Sequence, residues 1–288
     1  MLDAILDALI DSIKLLPFLF IAYLIMEYIE HKTGEKTKNA IKKSGKFGPL
    51  LGGALGIFPQ CGFSAAASNL YAGRVITLGT LIAIYFSTSD EMLPVLISEA
   101  VPFTTIITIL AIKLVIGIIA GFAIDLSLTL IKKRKNNKQE NKEVEEEIGH
   151  ICEHEHCHCE DGILKSAIKH TVNIFAFILI ITVAVNIIIH FIGEDNLSNL
   201  ILNKPVIGPM IAGIIGLIPN CAGSVILTQL YLENVISFGA VIGGLLVGSG
   251  IGILVLFRVN KDLKENIKIL GMLYAIGTIC GILIDVII

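Results

Sequence analysis

The sequence predicts an all-α integral membrane protein made of two repeats of inverted topology, and three observations carry that prediction. Of the 288 residues 54% are apolar and 16% charged, with a mean hydropathy of +0.81, whereas a soluble domain carries about 25% charged residues. The charges bunch into residues 30–46, 132–161 and 258–268, leaving apolar runs that suit the ~20 residues needed to cross ~30 Å of hydrocarbon. Residues 48–98 align without a gap to residues 208–258, with 16 identities in 51 positions. The same offset of 160 returns Gly117, Gly121 and Asp125 as Gly277, Gly281 and Asp285. An offset of 159 relates His31, Gly34 and Glu35 to His190, Gly193 and Glu194. Long-period duplication in an apolar chain marks the duplicated membrane folds that transporters use.

The elements follow in order. The first apolar run, near residues 8–30, is flanked by Asp3, Asp7 and Asp11 and shows no small-residue cleavage site, so it reads as a retained helix and not a signal peptide. Residues 48–72 hold two apolar stretches of roughly ten residues split by Pro59-Gln60-Cys61-Gly62. Proline removes a backbone donor and disfavours helix at the residue before it, and ten residues cover only about half a bilayer. The segment is therefore a hairpin or broken helix whose turn sits near mid-membrane. Continuous spans are expected near 75–98 and 103–131, then again near 165–191, 235–257 and 267–287. Residues 208–232, split by Pro219-Asn220-Cys221-Ala222, repeat the broken segment. The domain division is a first transmembrane repeat at 1–131, a cytoplasmic linker at 132–162 and a second repeat at 163–288.

Orientation comes from the positive charges. Loops 32–46, 132–142 and 258–268 are rich in Lys and Arg, while loop 192–204 sets Lys204 against Glu194 and Asp195. The positive-inside rule places the first three in the cytoplasm and the last outside. That requires 48–72 and 208–232 to be re-entrant, returning to the side they left. Each half then has three true crossings, an odd number, and the halves are inverted. Ten apolar segments result if each hairpin counts as two.

Three groups of residues could carry chemistry. At the paired turns, backbone groups freed inside a bilayer need partners, and two such turns entering from opposite faces would meet near the midplane. Gln60 and Asn220 offer amide oxygens there, Cys61 and Cys221 offer sulfur, and Ser64 and Ser224 follow one turn on. The competing reading is a pair of kinks with buried small residues. Next, Ser87-Thr88-Ser89-Asp90-Glu91 lies inside an apolar run. Adjacent carboxylates in a span are costly unless paired, protonated or hydrated, and they suit a cation site or proton relay. Only Ser89 keeps a counterpart, Ser249; glycines and Ile251 replace its neighbours in the second half. The alternative puts Asp90 and Glu91 in an interfacial loop. The third group is His150, Cys152, His154, His156, Cys157, His158 and Cys159, whose thiols and imidazoles can ligate zinc, copper(I) or another soft to borderline ion. It reads as a cytoplasmic capture arm or as an insertion that binds metal incidentally. Gly117-x-x-x-Gly121 and Gly277-x-x-x-Gly281 permit close helix packing. Lys113, His170 and His190 fall in or near spans; Lys113 either offsets a carboxylate or is simply buried.

The six cysteines suggest no disulfide framework. No Walker loop, dinucleotide fingerprint, nucleophile elbow or basic aromatic stripe is present, so ATP drive, soluble-enzyme chemistry and nucleic-acid binding lack support.

At Phe58-Pro-Gln-Cys-Gly-Phe63, Asn69-Leu-Tyr71, Thr77-Leu-Gly-Thr80, Ser87-Thr-Ser-Asp-Glu91, Leu93-Pro94, Ile218-Pro-Asn-Cys221, Gln229-Leu-Tyr231 and Leu256-Phe-Arg258, the chain resembles the manganese transporter family. That family is also described as ten-helix heavy-metal or arsenic exporters, related to arsenical permeases. The resemblance covers nearly the whole chain and implies a multi-pass permease of the cell (inner) membrane for metal or metalloid. The expected activity is proton-coupled export of a divalent metal ion, manganese or another heavy metal, with no enzyme chemistry. Arsenite or organoarsenical efflux is the alternative, with Cys61 and Cys221 as ligands. A non-transporting membrane metal sensor is a second alternative. The expected partners are the metal ion and the lipid bilayer, without an ATPase subunit. No resident cofactor is expected beyond a zinc or other metal on the His/Cys loop.

Overall fold

The computed structural model describes residues 16–17, 20–21, 24, 47–57, 61–89, 92–135, 168, 171–172, 175–176, 179–180, 183, 206–219 and 221–287, except the side chains of residues 61, 132–135 and 221. All regular structure among them is helical. The spans expected near 8–30 and 165–191 lie largely outside these residues; the isolated positions described within them are helical.

The helices are α1 (Gly48–Gly56), α2 (Cys61–Ala72), α3 (Leu78–Ser87), α4 (Met92–Ser98), α5 (Phe103–Lys135), α6 (Ile207–Gly216), α7 (Cys221–Leu232), α8 (Phe238–Val247), α9 (Gly252–Val259) and α10 (Leu263–Ile287). The order α1–α5 returns as α6–α10, and the local chemistry returns with it. Thr77 caps α3 by accepting from Thr80 N at 3.1 Å, and Ser237 caps α8 from Ala240 N at 3.1 Å. Asp125 Oδ1 accepts from Gly79 N at 2.8 Å and its Oδ2 from Thr77 Oγ1 at 2.6 Å. Asp285 repeats this with Gly239 N at 2.7 Å and Ser237 Oγ at 2.5 Å. Each aspartate thus sits at the N-terminus of a neighbouring helix, where the exposed N–H groups favour negative charge. The turn after α2 places Arg74 in the left-handed region at φ 55, and its counterpart Asn234 stands at φ 58.

Glycine contacts fix the helix directions. Gly48, Gly52 and Gly56 lie against Thr80, Ile84 and Ser87 in ascending order, so α1 and α3 run parallel. Gly121 lies against Gly79 while Gly117 lies against Ala83 and Phe86, so α5 runs antiparallel to α3. The second half matches. Gly216 meets Gly244 and Gly248 while Ala212 meets Gly244, and Gly281 and Gly277 approach Gly239 and Val247 in reverse order. Because α1 and α3 are parallel yet joined through α2 and a short turn, α2 runs back against both. The hairpin expected at 48–72 is present as these two short helices, and α6 with α7 repeats it.

Between the halves the packing is exchanged. Helix α2 packs most extensively on α9, α4 packs on α7, and α3 meets α8 at the centre. The α3–α4 and α8–α9 segments are 75% and 83% buried inside the protein, against 28% for both α5 and α10. The outer helices expose apolar stripes, among them Val115, Ile119, Phe122 and Leu126 on α5 and Ile279, Leu283 and Val286 on α10. Such helical spacing of exposed apolar side chains on long helices is a lipid-facing surface.

Candidate functional site

The spans expected to be continuous near 75–98 and 235–257 are both interrupted. Helix α3 stops at Thr88, whose ψ of 127 leaves the helical region, and α4 starts only at Met92. Helix α8 stops at Gly248, with ψ 93, and α9 starts at Gly252. The causes differ between the halves. In the first, Ser87 and Thr88 hydroxyls bond back to Ala83 O (2.8 Å) and Ile84 O (2.7 Å), competing with continuation of the helix, and Pro94 lacks an N–H donor. In the second, Gly250 adopts φ 56, a conformation that glycine takes without steric cost.

These interruptions are brought together. Ser89 Oγ, in the break of α3–α4, donates to Ile57 O at 2.6 Å, at the end of α1. The break of the first hairpin and the break of the first central helix therefore lie side by side. A methyl group on Gly56 would strike Ser87 Oγ, so glycine is what permits the approach. Across the molecule, Gly252 at the start of α9 lies on the Ser64 backbone in the first turn of α2. Ser68 Oγ, fully buried, is 2.7 Å from the carbonyl oxygens of Ser64 and Gly252 and from Tyr85 Oη. A hydroxyl has one proton to give, so Tyr85 donates to Ser68 and Ser68 serves a carbonyl. Lys113, 1% exposed, donates its Nζ to the carbonyl of Thr88, the residue that caps the C-terminus of α3.

Of the expected site residues, Ser64, Ser87 and Ser89 are fully buried around these breaks, and Ser224 is half-buried in α7. Cys61 and Cys221 are the first residues of α2 and α7. Gln60, Asp90, Glu91 and Asn220 lie outside the described residues, as do His150, Cys152, His154, His156, Cys157, His158 and Cys159. Among the described residues no three His, Cys, Asp or Glu side chains form a group able to hold a metal ion. Sequence reasoning missed the Ser68–Tyr85–Gly252 cluster, which carries no motif. It also missed a network at one end of the molecule. Glu265 at the start of α10 accepts from Tyr71 Oη at 2.5 Å, from both guanidinium nitrogens of Arg74 at 3.0 and 3.1 Å, and from Asn260 Nδ2 at 2.9 Å. Its counterpart position in the first half is Thr105, and Arg74 corresponds to Asn234, so no such charge pair joins the equivalent positions.

A family model described as "Putative, 10TM heavy-metal exporter" matches residues 1–194 and 159–288, which together span the chain. No curated protein and no solved structure matches it.

Proposed function

The chain belongs to this family of ten-helix heavy-metal exporters, and from that premise we propose that it is a secondary transporter carrying a divalent metal ion, manganese or another heavy metal, out of the cytoplasm. It is a multi-pass membrane protein of a transporter family, not an enzyme family. The observation that carries the reading is the juxtaposition of broken helices: Ser89 ties the α3–α4 break to the end of α1, and Gly252 sets the α8–α9 break on the first turn of α2. Non-helical backbone at membrane depth is tolerated where it is buried in protein or lines a cavity. Duplicated transporters bind cargo at discontinuous helices near the midplane.

Contacts at one end of the molecule support inversion of the repeats. Helix α5 arrives at the N-terminus of α3 with Asp125. Helix α10 departs from the neighbouring turn, where Glu265 bonds Tyr71 and Arg74. Both contacts favour corresponding helices that run in opposite senses. Residues 132–135 and 258–268, rich in Lys and Arg, belong to this same end, which supports a cytoplasmic assignment for it; the membrane in this reading is the cell (inner) membrane. The units would be repeats 1–131 and 163–288, joined by the linker 132–162.

Within the site, Asp90 and Glu91 bind the cation and exchange it for protons, while Gln60, Asn220, Ser64, Ser87, Ser89 and Ser224 supply oxygen ligands or their supports. Oxygen donors suit manganese. A second reading, arsenite or organoarsenical efflux, is favoured by Cys61 and Cys221 beginning equivalent helices in both halves. Uptake of Mn²⁺, Zn²⁺ and arsenite into inverted vesicles separates the two. Asp90→Asn with Glu91→Gln should abolish metal uptake; uptake that survives sinks the carboxylate role. Arsenite flux lost in Cys61→Ser but intact in the acid variant selects the second reading.

A further inference from the structure

Lys113 lies inside α5, 1% exposed, and its ammonium reaches the Thr88 carbonyl where α3 ends. Charged side chains are costly inside a span and are kept where they serve a polar path. Packing alone does not call for one here. The equivalent position in α10 is Leu273, fully buried, and the equivalent break begins at Gly248, whose carbonyl therefore meets no ammonium from that position. The fold therefore accommodates an aliphatic residue at this point in one half and a lysine in the other. The half with the lysine is also the half with the carboxylates: Asp90 follows Thr88 by two residues in the sequence.

A backbone carbonyl at the C-terminal end of a half-helix is a cation ligand, because the helix dipole concentrates negative charge there. An ammonium and a divalent metal compete for the same oxygen. We propose that Lys113 is a tethered stand-in for the cargo: it holds the Thr88 carbonyl in the empty carrier, and metal binding displaces it. This rests on the reading that the α3–α4 break is the transport site. A resident positive charge lowers metal affinity and speeds release. It also demands a cargo of higher charge than a single ammonium, since an ion of equal charge gains little by the exchange.

The test is equilibrium binding of Mn²⁺ and Zn²⁺ to the purified full chain in nanodiscs, with vesicle transport measured beside it. The variants are Lys113→Leu, Lys113→Gln, Lys113→Arg and Asp90→Asn, each checked by thermal melting. Lys113→Leu, which copies the partner repeat, and Lys113→Gln should bind metal about tenfold more tightly and turn over more slowly. Lys113→Arg, which keeps the charge, should hold the wild-type Kd. Neutral variants that bind no tighter than wild type, while Asp90→Asn loses binding, overturn the stand-in and leave the site reading intact. If Asp90→Asn also binds as wild type does, the site reading itself fails. An arginine variant with the same gain as the neutral ones would show that charge is not the cause, and would also overturn the stand-in.

Discussion

Removing the Asp285 carboxylate tests whether the repeat is a physical unit and not only a sequence pattern. Its two oxygens accept from Gly239 N at 2.7 Å and Ser237 Oγ at 2.5 Å. A hydrogen bond to a charged group contributes about 1.5–3 kcal/mol. Gly239 is buried, but Ser237 and Asp285 are only half-buried at the helix end, which favours the lower half of that range. Asp285→Ala should therefore cost about 3–4 kcal/mol, while Asp285→Asn, which keeps one acceptor, should cost about half as much. Asp125→Ala should fall within about 1 kcal/mol of Asp285→Ala, because Gly79 and Thr77 hold it in the same way. Equilibrium unfolding in mixed micelles with a rising fraction of denaturing detergent gives these values. A double-mutant cycle with Ser237→Ala should return a coupling of about 1–2 kcal/mol. Costs below about 0.5 kcal/mol in both halves, the range of uninvolved surface positions, would mean that lipid headgroups or water satisfy the carboxylates. The capping argument would then be wrong.

Gly56→Ala would drive a methyl group into Ser87 Oγ and the Ile84 carbonyl, and Gly216→Ala into the Gly244 carbonyl. Each should destabilise by about 1–3 kcal/mol and cut transport, and a well-folded, fully active alanine variant at either position refutes the close approach. Glu265→Gln removes the Arg74 ion pair, whose side chains are 35% and 25% exposed. Because the Tyr71 and Asn260 hydrogen bonds weaken with it, the stability cost should be about 1–3 kcal/mol; cross-linking between positions 74 and 261 should show a looser end, and an unchanged pattern would count against the network. With the native cysteines replaced, Lys261→Cys should react with an impermeant thiol reagent only from the cytoplasm. Glu99→Cys and Glu233→Cys, both exposed, should react only from outside; one common side for all three contradicts inversion. Deletion of residues 149–161 should alter capture at low metal concentration and leave a basal transport rate, and complete loss would contradict the arm as an accessory.

Much of the fold was legible in the residues. The duplicated glycines and the Pro59 and Pro219 turns located the two hairpins, because proline and half-length apolar runs leave few alternatives in a bilayer. The breaks that open at Thr88 and at Gly248 were hidden by composition. Their flanks are apolar enough to read as one span, although Pro94 and Gly248-Ser249-Gly250 were visible warnings. The candidate residues of the hairpin turns were readable as a repeated motif. The Lys113–Thr88 contact was not, because it joins helices whose register is set by Gly117 and Gly121 packing, not by any local spacing. The Arg74–Glu265 pair escaped notice for the same reason: 191 residues separate its members, and charges at loop edges usually face water.

The exchanged packing has a consequence for how such a chain can be made. The buried hydroxyl of Ser68 packs against the Gly252 carbonyl, which is synthesised 184 residues later. Until α9 emerges from the ribosome, the polar side of α2 has no protein surface to cover it. The amino-terminal half should therefore wait in the membrane incompletely assembled, exposed to quality-control proteases. Expressed as separate polypeptides, 1–131 and 163–288 should each be degraded alone and rescued together. By the same logic, an ancestor with only one such unit would have had to work as a pair of copies, each lending its hairpin to the other.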